Sequence, residues 1–256
     1  MLKIEDRHHV RLLTLDRPDK SNALHPDLLD RLAAALRETE SHDAVRVVVL
    51  TGAGKRFCAG LDLKHLAALD AEGRVGYMSS LFDVFRQLRT LRQPVVAAVN
   101  GAAIAGGFDL AAFCDLRLCS TSATFAQAEI LLGLTQISYP LYKVIGMSRA
   151  AELALTGAAI DAAEAHRIGL VSSVHEDGEM LRRALELAEA MAERPPQALF
   201  ATKCLVQEVV ELDTESAFTR MFDAISERLR STEHQEALSA YMDGLRRRST
   251  GSADAE

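Results

Sequence analysis

Apolar positions change period repeatedly along this chain, and the changes divide it into elements. Val10 to Leu15 alternates well enough to be a strand, and Val45 to Leu50 is a mostly β-branched run interrupted only by Arg46, the pattern of a strand covered on both faces. Val95 to Val99 repeats that pattern. Between these runs the period lengthens: Leu28, Leu29, Leu32, Ala35 and Leu36 mark one helical face, and Tyr77, Leu81, Phe82, Phe85 and Leu88 mark another. His25-Pro26 opens the first of these helices, because proline is tolerated in a first turn. Ala105 to Phe113 reads as a helix with Gly106 and Gly107 in its first turn, followed by short strands at Leu116 to Cys119 and Ala123 to Phe125. Strand and helix in alternation predict an α/β fold with right-handed crossovers.

Past Glu129 the pattern turns mostly helical. Short helices are expected at Ser148 to Thr156 and Asp161 to Ile168, a last strand at Leu170 to Val174, and a helix from Gly178 to Glu193 that Pro195-Pro196 stops. From there to Arg247 nearly everything is helical. The expected organisation is a core over residues 1–194, a helical C-terminal region over 195–248, and a disordered tail over 249–256. The sequence contains no internal repeat and no low-complexity tract.

Composition narrows the functional classes. With 256 residues, 48% hydrophobic and 25% charged, the chain has the make-up of a soluble globular protein able to bury a sizeable core. A net charge of −7 argues against nucleic acid as a partner, which needs a basic face, but leaves room for an anionic small ligand on a local basic rim. The four cysteines, Cys58, Cys114, Cys119 and Cys204, show no CxxC spacing and read as small hydrophobes in a reducing compartment. MLKIEDRHHV has no apolar signal segment and GSADAE is no peroxisomal address, so a cytoplasmic location is expected. The most apolar window, Val95 to Cys114, contains Asn100, Asp109 and several glycines; it reads as strand, loop and helix, not as a membrane span.

Several familiar chemistries find no support. Gly52-Ala53-Gly54-Lys55-Arg56 lacks the GxxxxGK[ST] spacing of a phosphate loop, since Val49 and Arg56 hold the outer positions. The glycines from Gly101 to Gly107 are wrongly spaced for a dinucleotide fingerprint. No GxSxG elbow is present, and the eight histidines form no HxxxH, HxH or Cys/His cluster, so no metal site is expected.

Two turns and two acids remain. Gly60-Leu61 follows a strand and precedes a helical start, and Gly106 heads a helix among small residues. Each turn can present free backbone N–H groups, and two such donors on one oxygen would stabilise an enolate. The same glycines also suit tight packing alone, and spacing by itself leaves both readings open. Asp109 lies one turn after Gly106, and Glu129 sits between Phe125-Ala126-Gln127-Ala128 and Ile130-Leu131-Leu132. Carboxyls in such apolar company are costly without a partner or a task. The residues alone allow a catalytic pair, or a helix-dipole partner beside an edge carboxylate.

A resemblance decides more. Arg17-Pro18-Asp19-Lys20-Ser21-Asn22-Ala23-Leu24, Val48 to Gly52 with Phe57 to Leu63, Val96 to Asp115, Leu155-Thr156-Gly157, Ala162 to Val171 and Ser231 to Arg246 resemble, in order, the signature segments of the crotonase superfamily, the enoyl-CoA hydratase/isomerase family. The resemblance covers nearly the whole chain and implies a spiral of ββα units with a helical C-terminal region that builds homotrimers and often homohexamers. It implies an acyl-CoA thioester as substrate and no further cofactor. By position, the oxyanion donors would be the N–H groups of Leu61 and Gly106, and the catalytic acids Asp109 and Glu129. Ala23, Leu24, Ala59 and Leu63 would line the CoA path, Lys20 and Lys64 would meet its phosphates, and Tyr241 and Arg246 would reach a neighbouring subunit's CoA.

Two departures from the family pattern bear on the reaction. Asp109 stands where the hydratases carry a glutamate, so its carboxyl sits one methylene further back. An aspartate here occurs in the family's dienoyl-CoA isomerases, whose further acid falls near Ile137 in this chain. The usual glycine-rich loop is replaced by Gly133 to Leu141 and is shorter by about three residues, which changes the border of the acyl pocket; Tyr139 or Tyr142 is placed to fill the space, with Leu141 and Ile145 as packing. The expected reaction is addition of water across a 2-enoyl-CoA double bond. The alternatives are a shift of that double bond by one carboxylate, or CoA binding with little catalysis.

Overall fold

After an opening hairpin, three successive turns of the chain each contribute one strand to each of two sheets. The computed structural model describes residues 1–136 and 139–251. The order is β1 (Leu2–Arg7), β2 (Val10–Leu15), α1 (Pro26–Glu40), β3 (Val47–Gly52), β4 (Arg56–Cys58), α2 (Leu63–Ala68), α3 (Ala71–Thr90), β5 (Val95–Val99), β6 (Ala102–Ile104), α4 (Gly106–Phe113), β7 (Leu116–Ser120) and β8 (Thr124–Ala126). A 3₁₀ turn (Ala128–Leu132), α5 (Leu141–Ile145), α6 (Met147–Thr156), β9 (Ala159–Asp161), α7 (Ala162–Arg167), β10 (Ser173–His175) and α8 (Asp177–Ala192) follow. These elements form a compact unit from Met1 to Ala192.

The first sheet has six strands in the order β1-β2-β3-β5-β7-β10, and the second has four in the order β4-β6-β8-β9. In the first sheet only the β1–β2 hairpin is antiparallel. The pairs β3/β4, β5/β6 and β7/β8 each place one strand in each sheet, so the chain winds as a spiral of ββα units. Register aligns Leu13 with Leu50, Leu50 with Ala97 and Ala97 with Arg117. Leu13, Leu50 and Ala97 share one core with Leu28, Leu32 and Leu36 of α1 and Leu81, Phe85 and Leu88 of α3. Alternate residues face the other way. Across β2, β3, β5 and β7 lies α8, whose buried Met180, Ala184, Ala188 and Ala192 recur every four residues and allow a close approach.

The capping expectation for α1 holds: His25 is its N-cap and Pro26 its first residue. Three strands have no counterpart in the hydrophobic pattern: β1, β6 and the three-residue β9. β1 is an edge strand, LKIEDR, mostly exposed and charged. β6 is three small or apolar residues that read as loop. The last strand lies three residues later than its apolar run: Leu170 and Val171 are buried, but the pairing with β7 begins at Ser173.

A second compact unit begins at Glu193 and holds α9 (Pro196–Val209), α10 (Thr214–Leu229) and α11 (Thr232–Gly251). Asp213 caps α10 by accepting from Ser216 N at 3.1 Å. Glu233, at the start of α11, accepts from Gln197 N and Ala198 N at 2.9 and 3.0 Å, satisfying first-turn donors of α9. Of the tail expected over 249–256, residues 249–251 belong to α11 and 252–256 lie outside the described residues. Among the described residues no helix is long and apolar enough to cross a membrane.

Candidate active site

The first turn is held by its backbone. Leu24 N donates to Gly60 O at 2.8 Å, and Ala59 N donates to Ser21 O at 3.0 Å. Because the peptide is planar and trans, fixing the Gly60 carbonyl on Leu24 turns the Leu61 N–H the opposite way. Gly60 has φ +81°, a conformation natural to glycine. One residue on, Asp62 accepts from Lys64 N and His65 N as the N-cap of α2, and it pairs with Arg17 at 3.1 Å. Fully buried Asn22 ties the preceding loop down: it accepts from Arg17 N and donates to Ala53 O and Arg56 O.

The second turn packs on the first. Ala105 N donates to Ala126 O at 2.8 Å, and Ala105, with φ 53° and ψ −130°, caps α4. A Cβ on Gly107 would fall 2.2 Å from Cys58 O, and one on Gly60 would fall 3.1 Å from Gly106 N. Only glycines allow this approach. The Gly106 N–H is a first-turn donor with no partner inside its helix. Leu61 and Gly106 line one cavity of about 400 Å³.

Asp109 lies on α4 and is 2% exposed. Its Oδ1 accepts from Gln127 Nε2 at 3.3 Å. Glu129, in the 3₁₀ turn after β8, is on the cavity wall. Burial, and then the Glu129 carboxyl beside it, push the Asp109 pKa well above the usual carboxylate range. Burial also raises Glu129, while hydrogen bonds from its own backbone, from Asp109 and from Gln136 pull it back. The pair therefore favours one shared proton, held more firmly by the more deeply buried Asp109.

Apart from Glu129 and Thr135 the wall is apolar, with Leu66, Met78, Leu81 and Phe82 from the chain before β5 and Leu131, Leu132 and Leu134 from the chain after β8. Of the residues expected at the site, Leu61, Leu63, Ala59, Gly106 and Glu129 line it. Asp109 does not, being buried away from its surface. Ala23 and Leu24 are also buried and off the lining, and Leu24 acts through its backbone on Gly60. Lys20 and Lys64 are exposed and do not line the cavity. Neither Tyr139 nor Tyr142 fills it: Tyr139 lies beside Phe113 and Tyr142, and the shortened loop contributes Leu134 and Thr135 instead. Leu141 is buried and Ile145 packs on the core. The expectation at Ile137 lies outside the described residues. Tyr241 and Arg246 are exposed on α11. Asn22, Gln127 and Gln136 were not legible as site residues, because a lone amide in a loop carries no spacing signal.

The sequence and the fold are both shared with known proteins. The profile of the enoyl-CoA hydratase/isomerase family matches residues 5–248. The chain belongs to that family. It is 35% identical over 246 residues to the short-chain-enoyl-CoA hydratase of Clostridium acetobutylicum, covering 94% of each protein. It is 43% identical over 197 residues to a probable enoyl-CoA hydratase of Mycobacterium bovis, covering 73% of this chain and 69% of that one. The crystal structure of an enoyl-CoA hydratase from Bacillus anthracis superposes with a TM-score of 0.92 at 31% identity, covering 95% of this chain and 96% of the other. The crotonase spiral expected from the sequence motifs is therefore the fold of this chain.

Proposed function

We propose that this chain adds water across the double bond of a 2-enoyl-CoA thioester. The observation that carries this reading is the placement of Glu129 on the wall of the cavity that Leu61 and Gly106 line. The thioester oxygen accepts from the Leu61 and Gly106 N–H groups, which stabilise the enolate as charge develops on that oxygen. Asp109, behind Glu129 and off the cavity surface, orients the attacking water through a longer hydrogen bond or a second water. As the water oxygen bonds to the β-carbon, Glu129 takes a water proton; the same carboxyl then delivers a proton to the α-carbon, and the carbonyl re-forms. The apolar wall suits a hydrocarbon acyl tail.

Around this reaction the exposed Lys20 and Lys64 meet the CoA phosphates as a local basic rim, with Ala23, Leu24, Ala59 and Leu63 along the CoA path. No further cofactor takes part. Exposed apolar side chains on the helical unit, among them Val206, Val210, Phe218, Phe222 and Leu229, support assembly as a homotrimer or homohexamer. In that assembly Tyr241 and Arg246 reach a neighbour's CoA. Four cysteines, none in a disulfide, support a cytoplasmic location.

A second reading follows from the position of Asp109 off the cavity surface: Glu129 alone shuttles a proton between the α- and γ-carbons and moves the double bond. Ultraviolet absorbance separates the two. Loss of the conjugated-thioester band from a 2-enoyl-CoA, with a product heavier by one water, supports hydration. Appearance of that band from a 3-enoyl-CoA supports isomerisation. Glu129→Gln is expected to abolish turnover with binding retained, and survival of activity within a few-fold would remove Glu129 from the mechanism. Tight CoA binding without turnover of any thioester would leave a CoA-binding protein.

A further inference from the structure

We propose that Tyr77 is a positioning residue for the Leu61 N–H, an inference that rests on the oxyanion role given to that group above. Leu24 and Leu61 form an isolated parallel bridge between the chain before α1 and the turn before α2. One rung of that bridge is direct, Leu24 N to Gly60 O at 2.8 Å. The Tyr77 hydroxyl occupies the other rung. It accepts from Asp62 N at 3.0 Å and donates to Leu24 O. The two peptides that flank Leu61 are thus both held on the side facing Leu24, the first by Leu24 N–H and the second by Tyr77, which leaves the Leu61 N–H directed away from Leu24.

Among the described residues no other group makes a short hydrogen bond to Asp62 N, which otherwise only faces Leu24 O across the bridge. Tyr77 is itself rigid: its side chain is 5% exposed within the core around α3. The His65 ring meets it edge-on at 5.0 Å between centroids. Its phenol is pushed up to about 12 by burial, so it stays a neutral donor and acceptor. A residue that read in the sequence as one more member of the α3 stripe is therefore a strut from α3 to the oxyanion turn. Without the hydroxyl, the turn keeps only its short Leu24 N to Gly60 O anchor, so Leu61 can shift about that bond and carry the Gly60–Leu61 peptide, with its N–H, off aim. Because the developing oxyanion is the most demanding acceptor, the loss falls on the transition state more than on bound substrate.

The test is Tyr77→Phe, which keeps the ring and its packing and removes both hydrogen bonds. The readouts are kcat, KM, and the red shift of a dimethylaminocinnamoyl-CoA chromophore on binding, which reports how strongly the thioester carbonyl is polarised. Leu12→Val, at a buried position of β2 outside the cavity, supplies a variant that is only destabilised. Tyr77→Phe is expected to lower kcat about 10-fold, less than loss of a whole oxyanion donor, to leave KM within about 2-fold, and to shrink the red shift by half or more. Leu12→Val moves none of these. If Tyr77→Phe keeps the wild-type red shift and kcat, Tyr77 has no positioning role and the oxyanion reading stands. A wild-type protein that binds the chromophore with no red shift would overturn the oxyanion reading itself, and the role of Tyr77 with it.

Discussion

Gly60 and Gly106 meet backbone to backbone. A Cβ on Gly60 would lie 3.1 Å from Gly106 N and 3.0 Å from Ile104 O, and Gly60 has φ +81°. An alanine there must both enter the left-handed region and push the second turn away. Gly60→Ala is expected to lose roughly 1–2 kcal/mol from the backbone conformation alone. The displaced turns would add a loss of turnover on the order of 100-fold, the effect of a shift of about 1 Å in a positioned group. Thermal denaturation and steady-state kinetics check both. Activity within a few-fold of wild type would mean that the spacing of the two turns does not matter.

Ala105 is the opposite case. It holds φ 53° and ψ −130°, a region glycine occupies freely and alanine does not, at a cost of about 1–3 kcal/mol. Ala105→Gly removes that strain while adding some unfolded-state entropy, so a net rise of about 2–4 °C in melting temperature is expected. A fall in melting temperature would show that the Ala105 methyl contributes packing worth more than the strain.

How much of this was legible in the sequence depended on what kind of interaction held each part. Val10–Leu15, read from its alternation, and Val95–Val99, read from the continuous apolar run of a strand covered on both faces, became strands with those limits. β1 escaped because an edge strand needs no apolar pattern. At the site, Gly60, Gly106, Asp109 and Glu129 stood out as residue types that are expensive in their surroundings. The amides of Asn22 and Gln127 and the hydroxyl of Tyr77 did not. Their partners lie up to tens of residues away, and only the folded chain shows what they hold. The positions of Lys20 and Lys64 illustrate the reverse limit: a motif gave them a task, while the structure places both exposed and off the cavity lining.

Arg117 links the far end of the site helix to the core. It is buried, and among the described residues its hydrogen-bond partners are backbone carbonyls. Nη1 donates to Cys114 O at 2.6 Å, at the C-terminal end of α4, and Nε donates to Leu170 O at 2.7 Å. Burial lowers its pKa, while its charge meets the negative end of the α4 dipole. Arg117→Met fills similar space but strands these carbonyls. A loss of about 2–4 kcal/mol is expected, from unsatisfied buried acceptors together with the lost dipole interaction. Urea denaturation measures it, and a change under 1 kcal/mol would show that water replaces the guanidinium.

The acid behind the cavity should cost the protein stability at neutral pH. Asp109 has a folded pKa well above its ordinary value, from burial and from Glu129. A carboxyl of this kind binds its proton more tightly in the folded state. Its contribution is fully present below the ordinary carboxylate pKa and is lost as pH rises through the raised folded value. Asp109→Asn keeps the size and the acceptor for Gln127 but cannot ionise. The variant is therefore expected to melt higher than wild type at neutral pH, with the difference shrinking as pH falls below the ordinary carboxylate range. Hydration is expected to fall at the same time, because the amide no longer shares a proton with Glu129; this is a stability gained at the expense of the site. Asp109→Glu should do the reverse, extending the carboxyl by one methylene toward the cavity and raising the hydration rate if the short side chain limits it. Melting curves of the wild type and Asp109→Asn from about pH 4 to pH 9 decide the first point. A difference in melting temperature that does not change with pH would show that Asp109 is not the buried ionising group.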